Sequence, residues 1–302
     1  MPDLRDTFAR HQLPLARWLQ HSTDWLVNSL SGFFRSVRYP VAETLSGFNS
    51  FLGHLPVWVF LLIVFALSWR LISTRFAFAA TGSLLLVGFV GMWDYAMTTV
   101  AMVVTSVVFC IVTGVPLGVA AAKNDRFERA LRPLLDAMQT LPTFVYLVPI
   151  VIFFGIGTVP GVMATIIVAL PPIIRLTSLG IRQVDPAVVE AGYSFGSSRL
   201  QVLREVELPL ALPSIMAGVN QTLLLSLSMV VMVALIGGGG LGFQVYQGIN
   251  QLDVGLAGTS GISVVVLAIL FDRLTQSAVK PRRELRVRRR AAPEATGLST
   301  AA

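Results

Sequence analysis

Four times between Asp3 and Glu294 the chain runs thirty residues or more without a carboxylate, at 55–93, 95–124, 137–184 and 208–252. A surface wetted by water does not go so long without acidic side chains, so these runs belong in a medium that penalises charge. Only 13% of the 302 residues are charged, against about 25% in an ordinary soluble domain. The mean hydropathy is +0.73. A membrane crossing needs roughly 20 predominantly apolar residues, and runs of this length supply several. The expectation is an all-α, polytopic membrane protein rather than a soluble enzyme.

Several chemistries are excluded by counting. Cys110 is the single cysteine and sits inside an apolar run, so neither an intrachain disulfide nor a cysteine-cluster metal site can form. His11, His21 and His54 all precede the first strong span, leaving no paired-histidine metal site within the membrane. Lys123 and Lys280 follow Ala122 and Val279, so the Gly-Lys-Ser/Thr of a phosphate-binding loop is absent. If ATP drives this protein, another chain hydrolyses it. Gly237, Gly239 and Gly242 match the letters of a dinucleotide fingerprint, but an apolar span precedes them where that motif needs a strand. They read as an external turn or gate element.

Apolar length predicts seven transmembrane helices, near 55–72, 76–93, 95–121, 137–156, 158–174, 214–236 and 254–273. Pro142, Pro149, Pro171 and Pro172 interrupt the fourth and fifth, which implies broken or kinked helices or ordinary packing kinks. Lys and Arg crowd every second connection: Arg70 and Arg75, then Lys123 to Arg132, then Arg175 to Arg204, then Arg273 onward. The connections near 94, 157 and 237–253 have none. The positive-inside rule makes the first set cytoplasmic, which places the amino terminus outside and the carboxyl terminus in the cytoplasm.

The chain divides into an amphipathic amino-terminal arm (1–54), two peripheral spans (55–94), a core (95–274) with a polar insert (175–213), and a basic tail (275–302). In the arm, apolar residues from Leu15 to Val37 recur at helical spacing, Pro40 breaks the pattern, and Val41, Leu45, Phe48 and Leu52 continue a narrower stripe. It lies either in the outer interface with its tryptophans at headgroup depth or packed on its own bundle. The tail from Lys280 to Arg290 holds seven cations and Glu284, a topology anchor or a weak binder of anionic lipid; residues 291–302 read as disordered.

The insert carries the specific signal. Asp185 can N-cap a helix starting at Pro186, and Gly192 or Gly196 can end it. The order Glu190-Ala191-Gly192, three residues, Gly196, nine residues, Val206, one residue, Leu208-Pro209 resembles the coupling signature of ABC importer membrane subunits, with Gly192 and Val206 where that family prefers Ala and Ile. The runs 139–144, 169–175, 184–186 and 236–242 resemble the glycine betaine, proline and choline subgroup. The resemblance implies a type I importer permease core in a bacterial inner membrane, serving osmoprotection. It further implies a second copy of the chain, a dimer of ATP-binding subunits carrying ATP and Mg, and an extracytoplasmic substrate-binding protein. No cofactor in this chain and no nucleic-acid partner are expected. Docking on the ATPase would fall to Asp185, Glu190, Ala191, Gly192, Gly196, Arg199, Leu208 and Pro209, whose small residues allow close backbone approach.

Polar side chains within spans are first of all interhelical hydrogen-bonding groups. The pathway candidates are Tyr146, Asn220, Gln221, Ser226 and Ser228, and the gate candidates Phe153, Met229 and Met232. The spans place no ionisable group at mid-depth, which disfavours the rival reading of an ion- or proton-coupled secondary transporter. A membrane scaffold protein, the other rival, leaves the insert without a role.

Overall fold

The computed structural model describes residues 15–279, and those residues form helices and turns without a strand. The tail from Lys280 onward lies outside the described residues, as do the first fourteen. The helices are α1 (Leu15–His54), α2 (Val57–Leu71), α3 (Thr74–Phe89), α4 (Trp93–Lys123), α5 (Asp125–Thr140) and α6 (Leu147–Phe154). They continue as α7 (Thr158–Arg182), α8 (Pro186–Ser194), α9 (Arg199–Val202), α10 (Leu208–Ala234), α11 (Leu241–Asn250) and α12 (Val254–Val279).

Each of the seven apolar segments is helical, but they are not seven full-length spans. Four helices are long and apolar enough by themselves: α4, α7, the continuous Arg199–Ala234 and Val254–Ser277. The helices α2 and α3 have 15 and 16 residues, roughly 23 Å at 1.5 Å per residue, short of the ~30 Å of hydrocarbon. The expected fourth span is broken: Asp125–Thr140 and Thr143–Phe154 meet at 109°. Pro142 is the cause, because it holds the preceding Leu141 extended at φ −69°, ψ 138°. Counting each bent pair as one crossing raises the total to six.

Other prolines do not interrupt. Pro40 lies inside the unbroken 40-residue α1, and Pro171 and Pro172 are buried in α7, which runs on to Arg182. The insert is therefore shorter at both ends than 175–213: Arg175 belongs to α7, and α10 already begins at Leu208. Arg175 pairs with Asp136 of α5 at 2.5 Å, so this cation has a partner within the helix bundle.

The core is α4, α7 and α10 packed side by side, with α12 against α10 and α11. Close approach of α4 and α7 depends on glycine. A Cβ on Gly118 would fall 2.8 Å from the Ile174 carbonyl oxygen and 2.6 Å from Thr177 Cβ. The buried hydroxyls of Thr105, Ser106, Thr165 and Ser226 donate to carbonyls four residues earlier in their own helices. True interhelical bonds are fewer, among them Thr222 to the Ala169 carbonyl at 2.9 Å.

At one end of the core the glycine turn 237–240 ties three helices together. Gly157 N–H donates to the Ile236 carbonyl at 2.8 Å, and Leu241 N–H donates to Thr99 Oγ1 at 2.8 Å. Gly237 and Gly240 have φ of 78° and 80°, values that side chains disfavour. The arm packs at this end, with Val41, Leu45 and Leu52 buried in the core cluster and the segment Ser31–His54 at 103° to α2. Trp18 and Trp25, nearer its start, are exposed.

Candidate functional site: the insert and its roots

The opposite end of the core carries the insert. Its local structure follows from its sequence: the Asp185 carboxylate accepts from Ala187 N–H at 2.9 Å and caps α8, with Pro186 in the first turn. The chain reverses at Gly196, φ 81°. Ser198 and Gln201 then form a reciprocal capping box that starts α9. A π turn, Leu203–Glu207, leads into Leu208, Pro209 and α10.

The signature residues divide between two jobs. Glu190, Ala191 and Arg199 are exposed, and Leu208 and Pro209 stand at the root of α10. Gly192 turns inward: a Cβ there would meet Val202 Cγ2 at 3.3 Å and Val206 Cγ2 at 3.7 Å. Its smallness therefore serves the packing of α8 on the following turn, while Gly196, with open space where a Cβ would stand, serves the reversal. Val188, Tyr193, Phe195 and Leu200 also face outward, Phe195 at 90% exposure. Four large side chains exposed on a polar segment form the kind of patch that marks a protein contact.

Both roots of the insert are fastened to the end of α4. Arg182, the last residue of α7, donates to the Ala121 carbonyl at 2.9 Å and to Asp125 at 2.7 Å, and pairs with Glu128 at 2.9 Å. Glu207, buried in the π turn, accepts from Lys123 Nζ at 2.6 Å. This pairing is not evident from the sequence, where Lys123 and Arg182 read only as topology signals. The available signal was an acid immediately before an apolar run and a lysine immediately after one.

The pathway and gate candidates are not gathered into one site. Tyr146 donates its hydroxyl to the Ala137 carbonyl at 2.8 Å across the α5–α6 break. Asn220 donates to Asp272 of α12 at 3.2 Å and accepts from Thr275, so it joins two helices. Ser226 and Met229 are buried in the core, and Phe153 stacks on Phe34 of the arm. Only Gln221, Ser228 and Met232 share an exposed row along α10 with Ala217 and Leu224. No group of three or more metal-ligating side chains occurs among the described residues.

Residues 114–283 match the family described as the binding-protein-dependent transport system inner membrane component. Over 275 residues the chain is 50% identical to the glycine betaine/proline betaine transport system permease protein ProW of Escherichia coli (strain K12), covering 91% of this chain and 78% of that one. It is 42% identical to the glycine betaine transport system permease protein OpuAB of Bacillus subtilis (strain 168), covering 88% and 94%. Among solved structures, an inward-facing form of the MetNI methionine ABC transporter superposes with a TM-score of 0.57 at 24% identity, covering 63% of this chain and 96% of that one.

Proposed function

The chain belongs to the binding-protein-dependent transport family of inner-membrane components, a permease subunit of an ABC importer and not an enzyme, and from that premise we propose what it carries and how it is driven. The solute is glycine betaine or a close quaternary ammonium relative, the class named for the similar permeases. ATP and Mg are handled by a pair of partner ATPases. A substrate-binding protein delivers the solute at the end of the core closed by the glycine turn. That end is external, because its connections carry Asp94 and Asp253 and no Lys or Arg, while Lys123, Arg126, Arg129, Arg199 and Arg204 surround the insert. The five passes α4, α5–α6, α7, α10 and α12 then carry the chain from the external side to the cytoplasm, and the arm, packed at the glycine-turn end, lies outside.

A second copy completes the pathway. The described residues of one chain offer four long spans, or six with each bent pair counted as one, too few to enclose a polar route, and the exposed α10 row with Gln221 and Ser228 is the face on which a twofold partner and the solute would meet.

The observation that carries the coupling role is the insert itself: a capped helix, fixed at both ends, exposing Val188, Tyr193, Phe195 and Leu200 with Glu190 and Arg199 beside them. Bound to a cleft of an ATPase, it passes on whatever difference nucleotide makes in the affinity for inward and outward forms. The test is cross-linking from Phe195→Cys to single cysteines on the ATPase in membranes. Adducts that change yield between ATP-bound and nucleotide-free states support the role, and an unreactive insert in an assembled transporter overturns it.

A further inference from the structure

We propose that Lys123 and Glu207 are a positioning pair that makes α4 move with the insert, so that the nucleotide signal reaches the core through α4 as well as through α10. The inference rests on the docking role of the insert proposed above.

Glu207 is a buried carboxylate in a π turn, and its cationic partner, Lys123, stands 84 positions earlier at the last residue of α4. A buried carboxylate is costly unless it is paired, and breaking such a pair leaves an uncompensated charge. Single π turns inside helices concentrate at functional sites. Here the π turn joins the insert to α10, the place where any tilt of the insert enters the membrane helices. Arg182 does the same at the other root, reaching the Ala121 carbonyl two residues before Lys123. The insert is thus tied twice to one short stretch of α4. A displacement of the insert either carries that end of α4 along or leaves the buried Glu207 carboxylate without its partly exposed lysine. Lys123 also borders a hollow of about 780 Å³ lined by Tyr193, Arg199, Leu200 and Leu203, so the pair sits beside the surface offered to the partner.

The test uses the full transporter in proteoliposomes and reads solute moved per ATP hydrolysed, together with the amount of ATPase that copurifies. Glu207→Gln and Lys123→Met are expected to keep the ATPase bound but lower the ratio about tenfold, within the range usual for coupling between two sites. Lys123→Arg, which keeps the charge, retains it, and the exchanged pair Lys123→Glu/Glu207→Lys restores most of it. Arg126→Gln, at an exposed cation three residues on, in the first turn of α5, leaves it unchanged. If Glu207→Gln does not accumulate, Lys123→Met carries the test, since its unbranched stem keeps the packing. Normal ratios in the single variants overturn the proposal, as does an exchanged pair no better than its parents. The two failures are distinguishable: loss of the Phe195→Cys cross-link in the otherwise unaltered chain refutes docking, whereas intact cross-links with an unaffected ratio refute only the pair.

Discussion

The ring of Phe34 lies on the ring of Phe153 with centroids 4.5 Å apart and planes 15° apart, and Phe154 meets it edge-on at 5.5 Å. The arm thereby grips α6, the eight-residue helix between the break at Pro142 and Gly155. Phe34→Ala removes contacts worth about 0.5–1.5 kcal/mol beyond the area buried and is expected to lower the unfolding temperature of the purified protein. Phe51→Ala, at an exposed ring of the same helix, is expected to leave it unchanged. By the same geometry Phe153→Ala shows first as lost stability and not as a leak.

Gly192 has room for a methyl group but not for a long side chain. The Cβ of an alanine would sit 3.3 Å from Val202 Cγ2, a few tenths of an ångström too close, so Gly192→Ala is expected to cost less than about 1 kcal/mol and to keep transport. Gly192→Leu overpacks the same contact at about 1–3 kcal/mol and is expected to detach α8 from the turn behind it. Limited proteolysis between residues 183 and 207 reads the difference as faster cleavage in the leucine variant only.

Glu190 is exposed on α8, so Glu190→Lys leaves folding intact. A reversed charge at a docking surface adds repulsion or strands a partner group, at about 1–3 kcal/mol. The expected outcome is ATP hydrolysis that no longer responds to loaded binding protein, with uptake reduced at least about fivefold. Uptake and ATPase association equal to the unaltered protein would remove Glu190 from the coupling surface.

Orientation is open to thiol labelling, because the native Cys110 is fully buried in α4 and is expected to stay unmodified by a membrane-impermeant maleimide. A cysteine at Asp253 is expected to label in intact cells, and one at Arg199 only after permeabilisation. The reverse pattern would invert the topology.

Much of the fold was legible because burial in a bilayer writes itself into local composition. The apolar runs located every core helix, and Asp185-Pro186 marked the start of α8. Proline was a poorer guide. Pro142 breaks a helix and leaves Leu141 before it extended, whereas Pro40, Pro171 and Pro172 sit in helices that run through them. The exposed half of the coupling signature could be read from spacing. The Lys123–Glu207 and Arg182–Ala121 ties could not, since they join residues 84 and 61 positions apart and depend on how three helices meet. The pathway candidates scattered for a related reason: a hydroxyl four residues after a helical carbonyl bonds back to it, as in Ser226 to Thr222, and sequence does not separate that from a side chain facing a route.

The most direct test of the central claim is uptake of labelled glycine betaine into proteoliposomes containing this chain, its ATPase and its binding protein. Uptake is expected to require ATP together with the binding protein, to persist when the proton and sodium gradients are collapsed, and to fail in Glu190→Lys. Uptake that proceeds without ATP and follows an imposed ion gradient would contradict the account.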